Sequence, residues 1–171
     1  MPQIVKEIGA IVQQNQEIRI YIFLSKAAQQ VIGLYGLNKD LEAISGKIFY
    51  EVDSNTTKPY YYLPGALQLQ KFSLFLVCPA TANTVAKIVN GIADTLITNS
   101  VAQAAKAGIP IYIFPVDHEE GSQTTILPDG SKLELTMRKI DLENTRRLSK
   151  MENVNVVTNT SMLKEILSSA S

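Results

Sequence analysis

Apolar positions along this chain fall into two spacings, and together they predict an alternation of helices and strands. Ile4, Val5, Ile8, Ile11 and Val12 recur at the helical interval and give an amphipathic first helix. Residues 18–24 follow as a mostly apolar, partly β-branched strand ended by Ser25, and residues 27–35 read as the next helix, closed by Gly36. Residues 48–52 read as a short strand, 53–64 as a polar and aromatic loop containing Tyr60, Tyr61 and Tyr62, and 66–71 as a helical turn. Residues 72–77 form an apolar run too short for a helix, and a proline follows shortly after, so a buried strand is expected there. Val85, Ala86, Ile88 and Val89 return to helical spacing. Residues 94–98 read as a further strand ending at Asn99-Ser100, 101–107 as a helix stopped by Gly108, and 109–114 as an almost fully apolar strand ended by Pro115. Residues 124–127 and 132–137 flank Pro128-Asp129-Gly130, a strong hairpin signal. A helix over 141–151, a strand over 154–157 and a helix over 161–167, capped by Ser161 or Thr160, complete the pattern.

Strands that alternate with helices, and are themselves continuously apolar, imply a parallel sheet covered on both faces. Neither a repeat nor a linker interrupts the chain, so residues 1–171 read as a single α/β domain. Ligands of such sheets sit beyond the carboxyl ends of the strands. Ser25, the turn over residues 79–84, Thr98-Asn99-Ser100 and Pro115-Val116-Asp117 all fall at expected strand ends, and are expected to converge on one crevice.

The most informative of these segments is Cys78-Pro79-Ala80-Thr81-Ala82-Asn83-Thr84. It joins a strand end to a helix start through small and hydroxyl-bearing residues. Thr81, Asn83 and Thr84 are good capping types, and unclaimed N–H groups at a helix N-terminus attract anions. No charged side chain occurs in the turn before Lys87, so nothing in it repels a phosphate or a planar ring.

Composition narrows the partners. The formal net charge is zero and the basic residues form no stripe, which argues against nucleic acid. No apolar run is long enough to span a bilayer, and residues 1–9 lack the apolar core of a signal peptide, so a cytoplasmic protein with no membrane partner is expected. Cys78 is the only cysteine, which excludes an intramolecular disulfide and any four-cysteine cluster within one chain. It reads as a small buried residue at a strand end. No metal site is expected.

Pro79-Ala80-Thr81-Ala82-Asn83-Thr84, then Ala86-Lys87, then Gly91-Ile92-Ala93-Asp94, resembles the FMN-binding core of the flavoprotein family. That family includes homo-oligomeric flavin-containing cysteine decarboxylases, flavin prenyltransferases and archaeal-type flavoprotein reductases. The resemblance covers nearly the whole chain. Phe23-Leu24-Ser25-Lys26-Ala27 is similar to the family strand whose serine touches the flavin phosphate. Asp94-Thr95-Leu96-Ile97-Thr98-Asn99-Ser100, Ile113-Phe114-Pro115-Val116-Asp117, and Pro128-Asp129-Gly130 followed by residues 137–144 are similar to the archaeal-type branch.

The resemblance implies a three-layer, Rossmann- or flavodoxin-like fold with a small hairpin toward the C-terminal end. It also implies a homo-oligomer, a trimer or a multiple of trimers, with flavin between subunits. Within it, Ser25, Pro79, Ala80, Thr81, Ala82, Asn83, Thr84, Thr98, Asn99, Ser100 and Pro115 are the cofactor-binding candidates. Thr81 and Thr84 are assigned to the phosphate or ribityl chain. Asn83 is assigned to the flavin ring or substrate, because an amide both donates and accepts. The implied function is that of an FMN-dependent oxidoreductase, acting in electron transfer or in reduction of a pterin-like substrate, with a small molecule or a redox protein as partner.

Two departures bear on that reading. Decarboxylase relatives carry a catalytic histidine shortly before the motif strand, where this chain has Leu63-Pro64-Gly65-Ala66-Leu67. Relatives also begin with a strand and a glycine-containing turn, whereas here the chain opens on what reads as the following helix. An incomplete pocket with reduced FMN affinity is therefore expected.

Alternatives stand beside each assignment. Flavin-dependent decarboxylase or prenyltransferase-like chemistry is one rival function; non-catalytic flavin binding is the other. Ser25, Thr81, Asn83 and Thr84 serve equally as helix caps, and Asn99 and Ser100 as a cap too. Tyr60, Tyr61 and Tyr62 fit a ring stack or an oligomer interface. His118, the only histidine, fits a proton donor or a solvated loop; Lys87 and Asp94 read as structural, and Arg138 and Lys139 as surface or interface charges.

Overall fold

The computed structural model describes residues 1–15, 17–51 and 62–169. Tyr60 and Tyr61, and most of the expected 53–64 loop, lie outside them. The chain divides into two compact units, Met1–Leu63 with Asn159–Ser171, and Pro64–Thr158.

In the first unit, α1 (Pro2–Gln14) precedes β1 (Ile22–Leu24), α2 (Lys26–Leu34), α3 (Asn38–Ile44) and β2 (Ile48–Tyr50); α8 (Met162–Ser168) packs on α1. The two strands pair in parallel, with Ile22 opposite Ile48 and Leu24 opposite Tyr50. Phe23 and Phe49, directly opposed, stack with ring centroids 5.0 Å apart. Val5, Leu24, Ile32, Leu37, Leu41 and Ile44 form the core of this unit.

Three details differ from the sequence pattern. The first strand is confined to its last three residues, because Ile18 and Ile20 alternate with an exposed Arg19 and find no partner strand. Helix α3 was not expected, although Leu37, Leu41 and Ile44 keep helical spacing and are all buried. Ser161 stands at the N-cap of helix α8 as expected, but the side-chain bond comes from Asn159, whose Oδ1 accepts from Met162 N (3.2 Å) and also from the Ser161 hydroxyl.

In the second unit, α4 (Leu63–Gln68), which begins at the last residue of the first unit, is followed by β3 (Phe75–Ala80), α5 (Ala82–Val89), α6 (Leu96–Lys106) and β4 (Ile111–Pro115). An antiparallel hairpin of β5 (Ser122–Ile126) and β6 (Lys132–Thr136), then α7 (Lys139–Leu148) and β7 (Val154–Val156), complete it. β3, β4 and β7 make a parallel sheet with β4 in the centre. Ile111 and Ile113 on β4 are fully buried, as a central parallel strand requires. Gly108 takes φ +71° after α6, a conformation that costs glycine little, and turns the chain into β4.

The expected strand over 94–98 is instead the start of α6. Thr95 caps the helix and Thr98 returns the bond: Thr98 N donates to Thr95 Oγ1 (3.2 Å) and Thr95 N to Thr98 Oγ1 (3.0 Å). This reciprocal capping box satisfies two N–H groups at once. It outweighs the weak strand preference of Leu96-Ile97, whose apolar pattern continues at helical spacing through Val101 and Ala104. The hairpin is present as expected, with Gly130 at φ +84° in its turn.

Candidate functional site

The carboxyl end of the β3–β4–β7 sheet is organised by a shift in the β3–β4 register. The β3–β4 register shifts after Val77, so that Ala80 comes to pair with Pro115, and Val116 N donates to Ala80 O (3.0 Å). The Cys78–Pro79 peptide is cis. Ala80 is buried; the next residue, Thr81, leaves the strand and caps α5, its Oγ1 accepting from Thr84 N (3.3 Å) and lying 3.1 Å from Thr84 Oγ1.

Of the first-turn amides of α5, Thr84 is held by the cap, while those of Ala82 and Asn83 have no partner among the described residues. The Asn83 amide side chain is exposed. The nearest cation along α5, Lys87, is committed to Asp94 (2.8 and 2.9 Å). The Lys87 hydrogen bond, with Thr98 and the local backbone adding to it, holds the Asp94 carboxyl below its ordinary range. The start of α5 is thus an uncharged, hydroxyl-lined turn with open N–H groups, suited to an anion.

Helix α6 packs on α5, β3 and β4, and leads through residues 107–110 straight into β4. Its last turn therefore lies toward the amino ends of the strands, and its first turns toward the carboxyl ends. Thr98, Asn99 and Ser100 sit in those first turns rather than at a strand end. Thr98 is spent on the capping box. Asn99 Oδ1 accepts from Gln103 Nε2 at 3.4 Å. Ser100 is fully buried, and its Oγ has no hydrogen-bond partner among the described residues. Buried hydroxyls are nearly always paired in native structures, so this one calls for a missing partner.

Past β4, the Pro115 carbonyl lies 2.9 Å from His118 Nδ1, and Thr145 Oγ1 donates to Asp117 O (3.3 Å). Burial pushes the Cys78 thiol up to about 12, which keeps it protonated and unreactive at neutral pH. Arg138 is a surface charge, as expected, and its guanidinium grips the buried Asp141 through Nε (2.7 Å) and a second nitrogen (2.8 Å).

Ser25, in the first unit, caps α2 by accepting from Ala28 N (3.1 Å). The adjoining N–H, that of Lys26, is already taken by Glu51 Oε2 at 3.0 Å. Glu51 was missed by the sequence reading, since nothing in the local pattern points from residue 51 to residue 26.

The structure thus places Pro79, Ala80, Thr81, Ala82, Asn83, Thr84 and Pro115 about the paired ends of β3 and β4, with Ser100 in the helix packed beside those strands. Known proteins are similar to this chain in fold and in sequence. DmrB of Burkholderia xenovorans, solved in complex with FMN and described as a cubic protein cage for redox transfer, is 34% identical, with a TM-score of 0.72 over 88% of this chain and 80% of its own. An uncharacterised protein of Methanocaldococcus jannaschii is 45% identical over 98% of this chain and 87% of its own length. A dihydromethanopterin reductase (acceptor) of the same organism is 30% identical over 85% and 81%. The flavoprotein family model matches residues 1–169, and on that match, with the strand–turn–helix unit at its centre, this chain belongs to the flavoprotein family.

Proposed function

We propose that this chain binds FMN at the carboxyl end of β3 and uses it to pass electrons to a pterin-like substrate or to another electron carrier. The observation that carries the reading is the open first turn of α5, where, among the described residues, nothing claims the Ala82 and Asn83 amides and no side-chain charge competes. The buried, partnerless Ser100 Oγ supports it, since a bound polar group would supply the missing bond. The residues present therefore fit a phosphorylated planar cofactor.

Thr81, Ala82, Asn83 and Thr84 would hold the phosphate or ribityl end, with Asn83 turned to the ring or the substrate. Pro79, Ala80 and Pro115 would form the apolar floor, and Ser100 a buried donor. The flavin supplies the redox chemistry when bound; the chain places it and excludes water. The FMN-bound relative and the dihydromethanopterin reductase (acceptor) among the relatives support the assignment to redox work.

Assembly as a homo-oligomer, a trimer or a multiple of trimers built from this single domain, belongs to the same reading. The β5–β6 hairpin leaves Ile126 exposed on one face and Leu133 and Leu135 on the other. An isolated two-stranded hairpin is marginal in water, and apolar residues on both faces suit contact with further copies. The caged assembly of DmrB is consistent with this.

The test is the visible spectrum of the purified chain, with any released cofactor identified by mass, followed by titration with FMN. Yellow protein carrying FMN, reduced by dithionite and reoxidised by a dihydropterin, is the expected result. Colourless protein that takes up no added FMN would overturn the reading. Light scattering on the same sample reads the assembly.

A further inference from the structure

His118 is the only histidine in the chain, and its ring is held in an unusual way. A carbonyl oxygen only accepts, so the 2.9 Å contact with Pro115 O requires Nδ1 to donate. In the neutral ring the proton is therefore on Nδ1, and Nε2 carries the lone pair. The Phe114 ring meets the imidazole edge-on at 6.2 Å and helps fix its plane. The side chain is 15% exposed, and Nε2 itself is buried with no hydrogen-bond partner among the described residues.

The charged groups around it do not fill that gap. Glu119 Oε1 stands 3.7 Å from Nε2, outside hydrogen-bond range, on a carboxylate that is mostly in solvent. Glu120 is engaged by Arg146 at 2.6 Å. Asp117 accepts from Thr145 at its backbone carbonyl, and its carboxylate acts on Arg138.

A purely structural histidine needs the Nδ1 bond alone, and an asparagine would serve as well. Here the second nitrogen is held ready and left unused, at the cost of a desolvated acceptor. The tether is informative too. Pro115, which anchors the ring, is the residue paired with Ala80, one position before the Thr81 cap of α5. The imidazole is thus tethered to the backbone of the residue that pairs with the end of β3.

We propose that His118 exchanges a proton, through Nε2, with the substrate reduced at this site; the inference rests on the flavin-linked reading above. In the step, the C=N bond of a partly reduced N-heterocycle gains a hydride at carbon, with both electrons drawn from reduced flavin. The nitrogen gains the proton that the imidazolium gives up from Nε2. The ring is left neutral, with its remaining proton still on Nδ1 and bonded to Pro115, and solvent returns the lost proton. Imidazole is the side chain most often used for such transfer.

The test uses the full chain loaded with FMN. One histidine gives one set of imidazole signals, so nitrogen NMR reads its tautomer without assignment. The neutral ring is expected as the Nδ1–H form, with the Nε2 signal shifting when 7,8-dihydropterin is added. In His118→Asn, whose amide can keep the bond to Pro115, FMN uptake and dithionite reduction should be unchanged. Reoxidation of the reduced flavin by 7,8-dihydropterin should fall by about 10²–10⁴-fold, while reoxidation by ferricyanide, which takes electrons and no proton, should not.

An Nε2–H tautomer in the wild type overturns the proposal. So does a variant that keeps the wild-type rate with the dihydropterin, or one that loses both acceptors equally. A dihydropterin that neither reoxidises the wild-type flavin nor moves the Nε2 signal overturns the proposal together with the pterin reading. Wild-type protein that takes up no FMN is a separate outcome: it overturns the flavin reading first and the proposal with it.

Discussion

Replacing Ser100 with alanine separates a ligand contact from a structural hydroxyl, because the two roles predict opposite signs. The side chain is fully buried and its Oγ is unpaired among the described residues. Leaving a buried hydroxyl unsatisfied costs about 1–3 kcal/mol. Ser100→Ala removes that cost and loses only the packing contacts of one oxygen. The cofactor-free chain is therefore expected to be as stable as wild type, or more stable by up to about 1 kcal/mol. For a chain of this length, 1 kcal/mol is a rise in Tm of about 2–4 °C.

Cofactor affinity should move the other way. A hydrogen bond to a charged group contributes about 1.5–3 kcal/mol. At 1.4 kcal/mol per tenfold, its loss raises the Kd for FMN by about 10–150-fold. Thermal melting of the flavin-free chain reads the first quantity, and quenching of FMN fluorescence on titration reads the second. A variant destabilised by about 1 kcal/mol or more, with FMN affinity unchanged, would refute the reasoning, because the hydroxyl would then already have a protein partner.

The neighbouring Thr98→Val should behave in reverse: it keeps the bond from Thr98 N to Thr95 Oγ1 but leaves Thr95 N without its hydroxyl acceptor, a loss of about 0.5–1.5 kcal/mol in denaturant unfolding, with little change in FMN affinity. Arg147 donates to Val89 O (3.0 Å), to Asn90 Oδ1 (3.2 Å) and to Asn144 Oδ1 (3.4 Å), tying α7 to the C-terminal end of α5. Arg147→Ala is therefore expected to cost about 1 kcal/mol, and an unchanged midpoint would count against that tie. Asp94 has its folded pKa lowered, first by the Lys87 hydrogen bond, so its contribution is present above the ordinary carboxylate value near ~3.9 and is lost as pH falls through the lowered one. The stability difference between wild type and Lys87→Met should accordingly shrink in strong acid, and a difference constant with pH would contradict it. Glu51→Gln keeps an acceptor for Lys26 N but removes the charge from the start of α2; a loss of about 0.3–1 kcal/mol is expected in salt-free denaturation, fading as salt is added.

Much of this arrangement is legible in the sequence because it is local. The β3–turn–α5 unit follows from a short apolar run, a proline and a threonine cap, and the hairpin from Pro128-Asp129-Gly130. What escapes is decided by competition or by distance. Leu96-Ile97 has strand character on its own, but two threonines three residues apart close a helix start around it. Ile18 and Ile20 look like strand residues, yet a strand needs a partner, and β2 reaches only from Ile48 to Tyr50. The pairing of Ala80 with Pro115 joins residues far apart in sequence and depends on a register shift that no local pattern encodes.

The same limit explains why two helix starts that read alike differ physically. Ser25 and Thr81 each end a strand and precede a helix, and each hydroxyl accepts from the amide three residues on, at 3.1 and 3.3 Å. Sequence alone gives both the same claim on a phosphate. At α2, however, Glu51 already places a carboxylate on the Lys26 amide, so the positive end of that helix is answered from within the chain. At α5 the Ala82 and Asn83 amides are unclaimed among the described residues, and the one nearby cation is held by Asp94. An anion binding at α2 must displace a charged side chain, and one binding at α5 displaces only water. That difference, set by one glutamate distant in sequence, is why the phosphate is assigned to the turn after β3.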